Sequence, residues 1–195
     1  MTVATPTLRR DRRSITRRYI GRVRRVLLIA TALTAAVLLP AAGQAKTTTT
    51  PSLENSKLLW ATINVCDTVK HPDTIGIRAS MPGSGRKGER MYMRFQVQYF
   101  KVSANQWANG DATADSGFQS VGAAKYRRRE SGWNFAITPP PAGQTYRLRG
   151  VVTFEWRKGS EVMRRVRKRT RSGHAGTTGA DPKTFSAAEC VIKPD

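Results

Sequence analysis

Residues 145–157, TYRLRGVVTFEWR, alternate between two kinds of side chain along almost their whole length. Tyr146, Leu148, Val152, Phe154 and Trp156 fall on one side with Gly150, while Arg147 and Arg149 fall on the other. A period of two belongs to a pleated strand with one face on a core and the other in water. An amphipathic helix repeats its apolar positions every three or four residues instead. Residues 90–102, RMYMRFQVQYFKV, alternate in the same way, setting Met91, Met93, Phe95, Val97 and Tyr99 against Arg94, Gln96 and Gln98.

Shorter strand signals stand at 58–66, 74–80, 118–126 and 132–138. Residues 103–117 read as a long loop or a weak strand. Residues 158–161, KGSE, close a short hairpin, so the chain returns along the stretch that opens EVMRRVRKRTRSG. Residues 185–192 are hard to divide between helix and strand; being short and rich in small and β-branched residues, they are taken as strand. No amphipathic helix longer than a turn follows Ala45, and there is no internal repeat. Short strands separated by Pro/Gly turns make a sandwich or a barrel. The expectation is an all-β, antiparallel sandwich of about 7–8 strands.

Residues 1–45 read differently. Nine arginines against one acid, Asp11, precede an uncharged run from Val26 to Ala45, with small residues at Gly43 and Ala45. This is the order of an export signal, and cleavage after Ala45 fits best. The uncharged run is also about long enough for a retained membrane anchor, although Thr31, Thr34 and Pro40 interrupt it. TRRYIGR at 16–22 partly resembles a twin-arginine signal, without the second apolar residue where Gly21 stands. An N-terminal signal helix, a flexible Thr-rich linker at 46–57 and a β-sandwich domain at 58–195 are the expected divisions. The protein is expected to be secreted or held in the cell envelope. Two cysteines, Cys66 and Cys190, near the two ends of the exported part, are expected to pair in an oxidising compartment.

Composition matters here for its charge. The chain carries 34 Lys+Arg and 13 Asp+Glu. With the nine arginines and one acid of the leader removed, 25 basic and 12 acidic residues remain, a net charge of +13 on residues 46–195. The excess belongs to the domain.

PPPAGQTYRLRGVVTFEW, at 139–156, resembles the stretch that enters the sixth strand of immunoglobulin-like and fibronectin type III sandwiches. There a proline-containing turn precedes a tyrosine whose hydroxyl bonds upstream backbone and staples the corner. The resemblance makes Tyr146 that structural corner and Leu148 a core residue. The cysteines depart from the antibody pattern, since they sit on the first and last strands. The chain is also similar to small uncharacterised exported proteins of high-GC bacteria, which implies no particular activity.

Catalytic patterns are wanting. GSGRKG at 83–88 satisfies G-x-G-x-x-G, yet a strand follows where a dinucleotide site needs a helix. There is no G-x-S-x-G elbow, and His71 and His174 lie in loop-like sequence as solvated side chains. Asp67, His71 and Asp73 are a poor set for zinc, with no second His or Cys. We expect no cofactor, no metal and no catalytic residue.

The basic residues are the remaining lead. Arg165, Arg167, Arg169 and Arg171 fall on one side of a strand with Met163, at a same-face spacing of ~6.6 Å. Arg147 and Arg149 lie on the polar face of the neighbouring hairpin strand, and Lys125, Arg127, Arg128 and Arg129 form a second cluster. Arginine meets phosphate and carboxylate bidentately. Trp107 and Tyr126 offer candidate stacking platforms. Charge on an edge strand also blocks edge-to-edge pairing, and high-GC coding favours arginine. The expected function is an exported, non-catalytic sandwich that binds an anionic cell-surface polymer or lipid head groups. A secreted enzyme is the alternative from another class, and export disfavours a nucleic-acid partner.

Overall fold

The computed structural model describes residues 52–194. The leader, its cleavage point and the start of the linker lie outside the described residues. Nine strands occur among those described: β1 (Trp60–Thr68), β2 (His71–Pro82), β3 (Glu89–Lys101), β4 (Gln106–Asn109), β5 (Asp115–Ala123), β6 (Arg128–Ala136), β7 (Tyr146–Lys158), β8 (Glu161–Arg169) and β9 (Cys190–Ile192). They form two antiparallel sheets, one in the order β1-β2-β6 and one in the order β4-β3-β7-β8. In the larger sheet β5 also pairs with β3, and β9 with β7. The all-β antiparallel sandwich is therefore the fold of the domain.

The alternating stretches turn their apolar sides toward one shared core. Met91, Met93, Phe95 and Val97 of β3 and Leu148, Val152, Phe154 and Trp156 of β7 are buried with Ala61, Ile63, Ile75, Ile77, Ala79 and Met81 of the smaller sheet. Trp156 also donates its Nε1–H across the sandwich to the Pro82 carbonyl at 2.9 Å, so its one polar atom is satisfied in the interior. Gly150 interrupts this apolar face for a steric reason. A Cβ there would lie 2.6 Å from the Thr170 side chain and 2.7 Å from Ile77.

β7 runs through the middle of the larger sheet and splits its far side between two partners. Residues 151–158 pair with β8, and residues 146–148 pair with β9. The β7–β8 hairpin turns through Gly159 and Ser160, with Gly159 at φ 60°, a left-handed conformation that glycine adopts without steric cost. Between β8 and β9 the chain crosses to the smaller sheet. Arg171 donates its N–H to Ala61, and Ala187 exchanges two backbone hydrogen bonds with Ile63. Cys66 and Cys190 form the expected disulfide, with their Cα atoms 5.5 Å apart.

Several local expectations change. Residues 103–117 hold β4 and the start of β5. The strand expected at 185–192 is limited to Cys190–Ile192, because Ala187 is occupied on the other sheet. Of the stretch read as linker, residues 52–57 are described; Leu53–Asn55 makes a 3-10 turn, and Leu53 packs against the core.

Thr170 secures the crossing. Its buried hydroxyl accepts from the Gly150 N–H at 3.0 Å and donates to the Ala188 carbonyl at 2.6 Å. Valine has the same shape and leaves both backbone groups unmatched. Thr170→Val is expected to lower unfolding free energy by about 2–3 kcal/mol in urea titration, the cost of stranded buried polar groups.

Candidate functional site

The outer face of the larger sheet collects arginines from three adjacent strands. On β8, Arg165, Arg167 and Arg169 stand opposite Glu155, Thr153 and Val151 of β7. Directly paired residues share a face, so Arg149, two residues before Val151, continues that face past the end of β8. Gln98 of β3 is paired with Arg149. The register of the hairpin thus brings together residues about 20 positions apart in the chain.

The expected row is then divided by its partners. Arg165 bonds to Glu155, a carboxylate fully buried in the sheet and shared with Arg157. Arg147 is paired with Glu189. Met163 leaves the row at a bulge, because Trp156 pairs with Arg164 and Arg157 with Val162. It lines a cavity with Arg164 and Trp156 instead. Arg171 also leaves it, since the backbone has already turned toward β1 at that point.

Arg149, Arg167 and Arg169 remain without a carboxylate partner among the described residues. Together with Gln98, Val151 and Lys168 they line a cavity of about 220 Å³. Burial, then the like charge of Arg169, push the Arg149 guanidinium below the usual arginine range; Glu189 opposes the shift and Arg167 adds a smaller push. Arg149 is also held in place: its Nε–H donates to Gln98 Oε1 at 2.9 Å, Gln98 donates in turn to Asn109 at 2.8 Å, and the guanidinium lies 4.1 Å from the Trp107 ring centroid. A charge positioned before a ligand arrives loses less side-chain freedom on binding.

Aromatic rings on this face serve the arginines. Trp107 is covered by Arg149 and contacts Phe100 edge-on, and Phe100 in turn lies under Arg147. Tyr92 and Phe118 lie under Arg157. Away from this face, on the β5–β6 connection, Tyr126 is covered by Arg129 at 3.8 Å and approached by Lys125. Trp107 and Tyr126, the candidate stacking rings, thus each carry a cation over the ring. Tyr146, the corner residue implied by the resemblance, is half-buried against the core and lines a cavity with Tyr99 and Leu148.

No protein-family model and no curated protein matches the chain. The reading of the site therefore rests on its own geometry.

β8 is an edge strand, and charge there blocks pairing with another molecule. That role does not account for Arg149, which is on an interior strand, or for the Gln98–Asn109 relay that orients it. His174 is the other departure. Expected in solvent, it is half-buried and stacked on Trp60, with ring centroids 4.3 Å apart and planes inclined by 12°. Burial lowers its pKa. Gln98 was invisible as a site residue because the alternating pattern identifies a face without identifying the neighbour across the ladder.

Proposed function

We propose that the domain is an exported, non-catalytic sandwich that binds anionic polymer of the cell envelope, or membrane head groups, on the outer face of its larger sheet. The observation that carries this reading is the convergence of Arg149, Arg167 and Arg169 on one cavity with no carboxylate partner among the described residues. Three guanidinium groups at strand spacing suit successive phosphates or carboxylates, each able to take two parallel hydrogen bonds. The disulfide supports an oxidising compartment outside the cytoplasm, and the leader supports export.

An immunoglobulin-like or fibronectin type III-like type is part of the proposal. With β1, β2, β3, β6, β7 and β8 taken as strands A, B, C, E, F and G, one sheet is A-B-E and the other contains C-F-G, close to the division of a constant-type immunoglobulin sandwich. β5, in the chain position of strand D, joins β3 instead.

Binding of purified envelope polymer or anionic vesicles, followed across a salt series, tests the function. Counter-ion release makes affinity fall linearly with salt on logarithmic axes. Arg149→Gln, Arg167→Gln and Arg169→Gln together are expected to reduce that slope by roughly 2, for about three lost contacts. A slope unchanged by the three substitutions would contradict the site.

A further inference from the structure

The arginine cavity does not end at the sheet edge. A second and larger cavity, about 760 Å³, lies along the side of the sandwich between β8 and the start of β1. Lys57, Trp60, Arg171 and His174 line it, together with Arg167 and Arg169, which also line the first. No carboxylate is among its lining residues. Lys168 lines both but is engaged elsewhere, its Nζ donating to the Glu54 carbonyl.

Two further features narrow what fits. Residues 167–170 all border the groove. The first three of these, Arg167–Arg169, end the edge strand β8, whose open side presents unpaired N–H and C=O groups, while Thr170 lies beyond it with its N–H bonded to Gly150. The Trp60–His174 stack adds a half-exposed aromatic surface beside them. The groove therefore offers cations, backbone donors, backbone acceptors and a flat apolar surface together.

We propose that this groove is a second subsite, continuous with the arginine cavity across β8, and that the two together hold an acidic polysaccharide whose sugar rings carry carboxylate or phosphate groups. This rests on the anion-binding reading above and names its ligand. A sugar ring lays its C–H face on an aromatic surface and offers hydroxyls that both donate and accept. Inorganic polyphosphate offers acceptors alone, leaving the strand carbonyls unmatched. A membrane is flat over the width of one domain and meets the outer sheet face or the side groove, whereas a flexible glycan bends over the edge strand and occupies both. Arg167 and Arg169 are the shared hinge of that path.

The test titrates the full chain with oligogalacturonates of increasing length, a neutral oligosaccharide, inorganic polyphosphate, single-stranded DNA and phosphatidylglycerol vesicles. Affinity for oligogalacturonate is expected to rise with length until both subsites are spanned, and then to level. Trp60→Ala is expected to weaken the longest oligogalacturonate about tenfold, the effect of one lost ring-stacking contact, while leaving polyphosphate binding unchanged. If Trp60→Ala loses its cooperative thermal transition, Lys57→Glu with Arg171→Glu probes the same groove, and the length dependence is expected to vanish while short oligomers still bind. Equal losses on glycan and polyphosphate, length-independent binding, or preference for DNA or vesicles would overturn the glycan assignment and leave the basic face standing. Failure of every anion to bind the unsubstituted chain would end both readings.

Discussion

Replacing Cys66 and Cys190 together by alanine is expected to lower the unfolding free energy by about 4–5 kcal/mol. The bridge closes a loop with a sequence separation of 124, so the open chain gains far more conformational freedom than the folded one. Alanine suits the test because Cys190 is buried beside Leu148 and Ile192, where a serine hydroxyl would add a cost of its own. The loss also has a location. Without the bridge, β9 depends on a three-residue pairing with β7, and the excursion between β8 and β9 is held to β1 by a few backbone bonds. Hydrogen exchange should therefore accelerate first across residues 171–192, while the β3–β7 ladder stays protected. Urea titration of the double variant against the parent gives the magnitude. A difference below about 1 kcal/mol would mean that the unfolded chain is already compact, or that the crossing is secured elsewhere.

The second large effect lies at Trp156. It is buried on β7, and its indole N–H reaches the Pro82 carbonyl of the opposite sheet. Trp156→Ala removes a full aromatic side chain from a close-packed interior and is expected to cost about 3–5 kcal/mol. Trp156→Phe keeps much of the volume and strands the Pro82 carbonyl, for about 1–3 kcal/mol. The gap between the two measures packing separately from the inter-sheet hydrogen bond. Equal losses for both variants would mean that the hydrogen bond, and not the volume, joins the sheets at this end.

What was legible in the sequence follows from the pleat. Alternation in 90–102 and 145–157 identifies two strands and their inward faces, because side chains on a strand have only two directions. Leu148, Val152, Phe154 and Trp156 point inward for that reason. The pairing partner is another matter. Nothing in EVMRRVRKR shows that Arg165 meets Glu155 while Arg167 meets Thr153, because register is set by the hairpin turn and by the bulge at Met163. One partner neutralises an arginine and the other leaves it free. Arg147 is removed from the expected row by Glu189, which lies 42 residues away in the chain. The course of residues 170–189 was equally hidden. Arg171, Asp181 and Ala187 are held by backbone bonds to a strand more than a hundred residues earlier, and such bonds leave no pattern in side-chain polarity.

The second basic cluster provides the sharpest comparison for the site. Lys125 and Arg127 lie on the β5–β6 connection, and β5 forms the edge of the larger sheet opposite β8. Arg167→Glu with Arg169→Glu and Lys125→Glu with Arg127→Glu change net charge equally, so affinity for the same anionic polymer at one fixed salt concentration separates position from total charge. The first pair is expected to lose at least about 3 kcal/mol of binding, near a hundredfold, with little change for the second. Equal losses from the two pairs would show that the domain attracts anions by its overall charge, and that the convergence of Arg149, Arg167 and Arg169 is not a site.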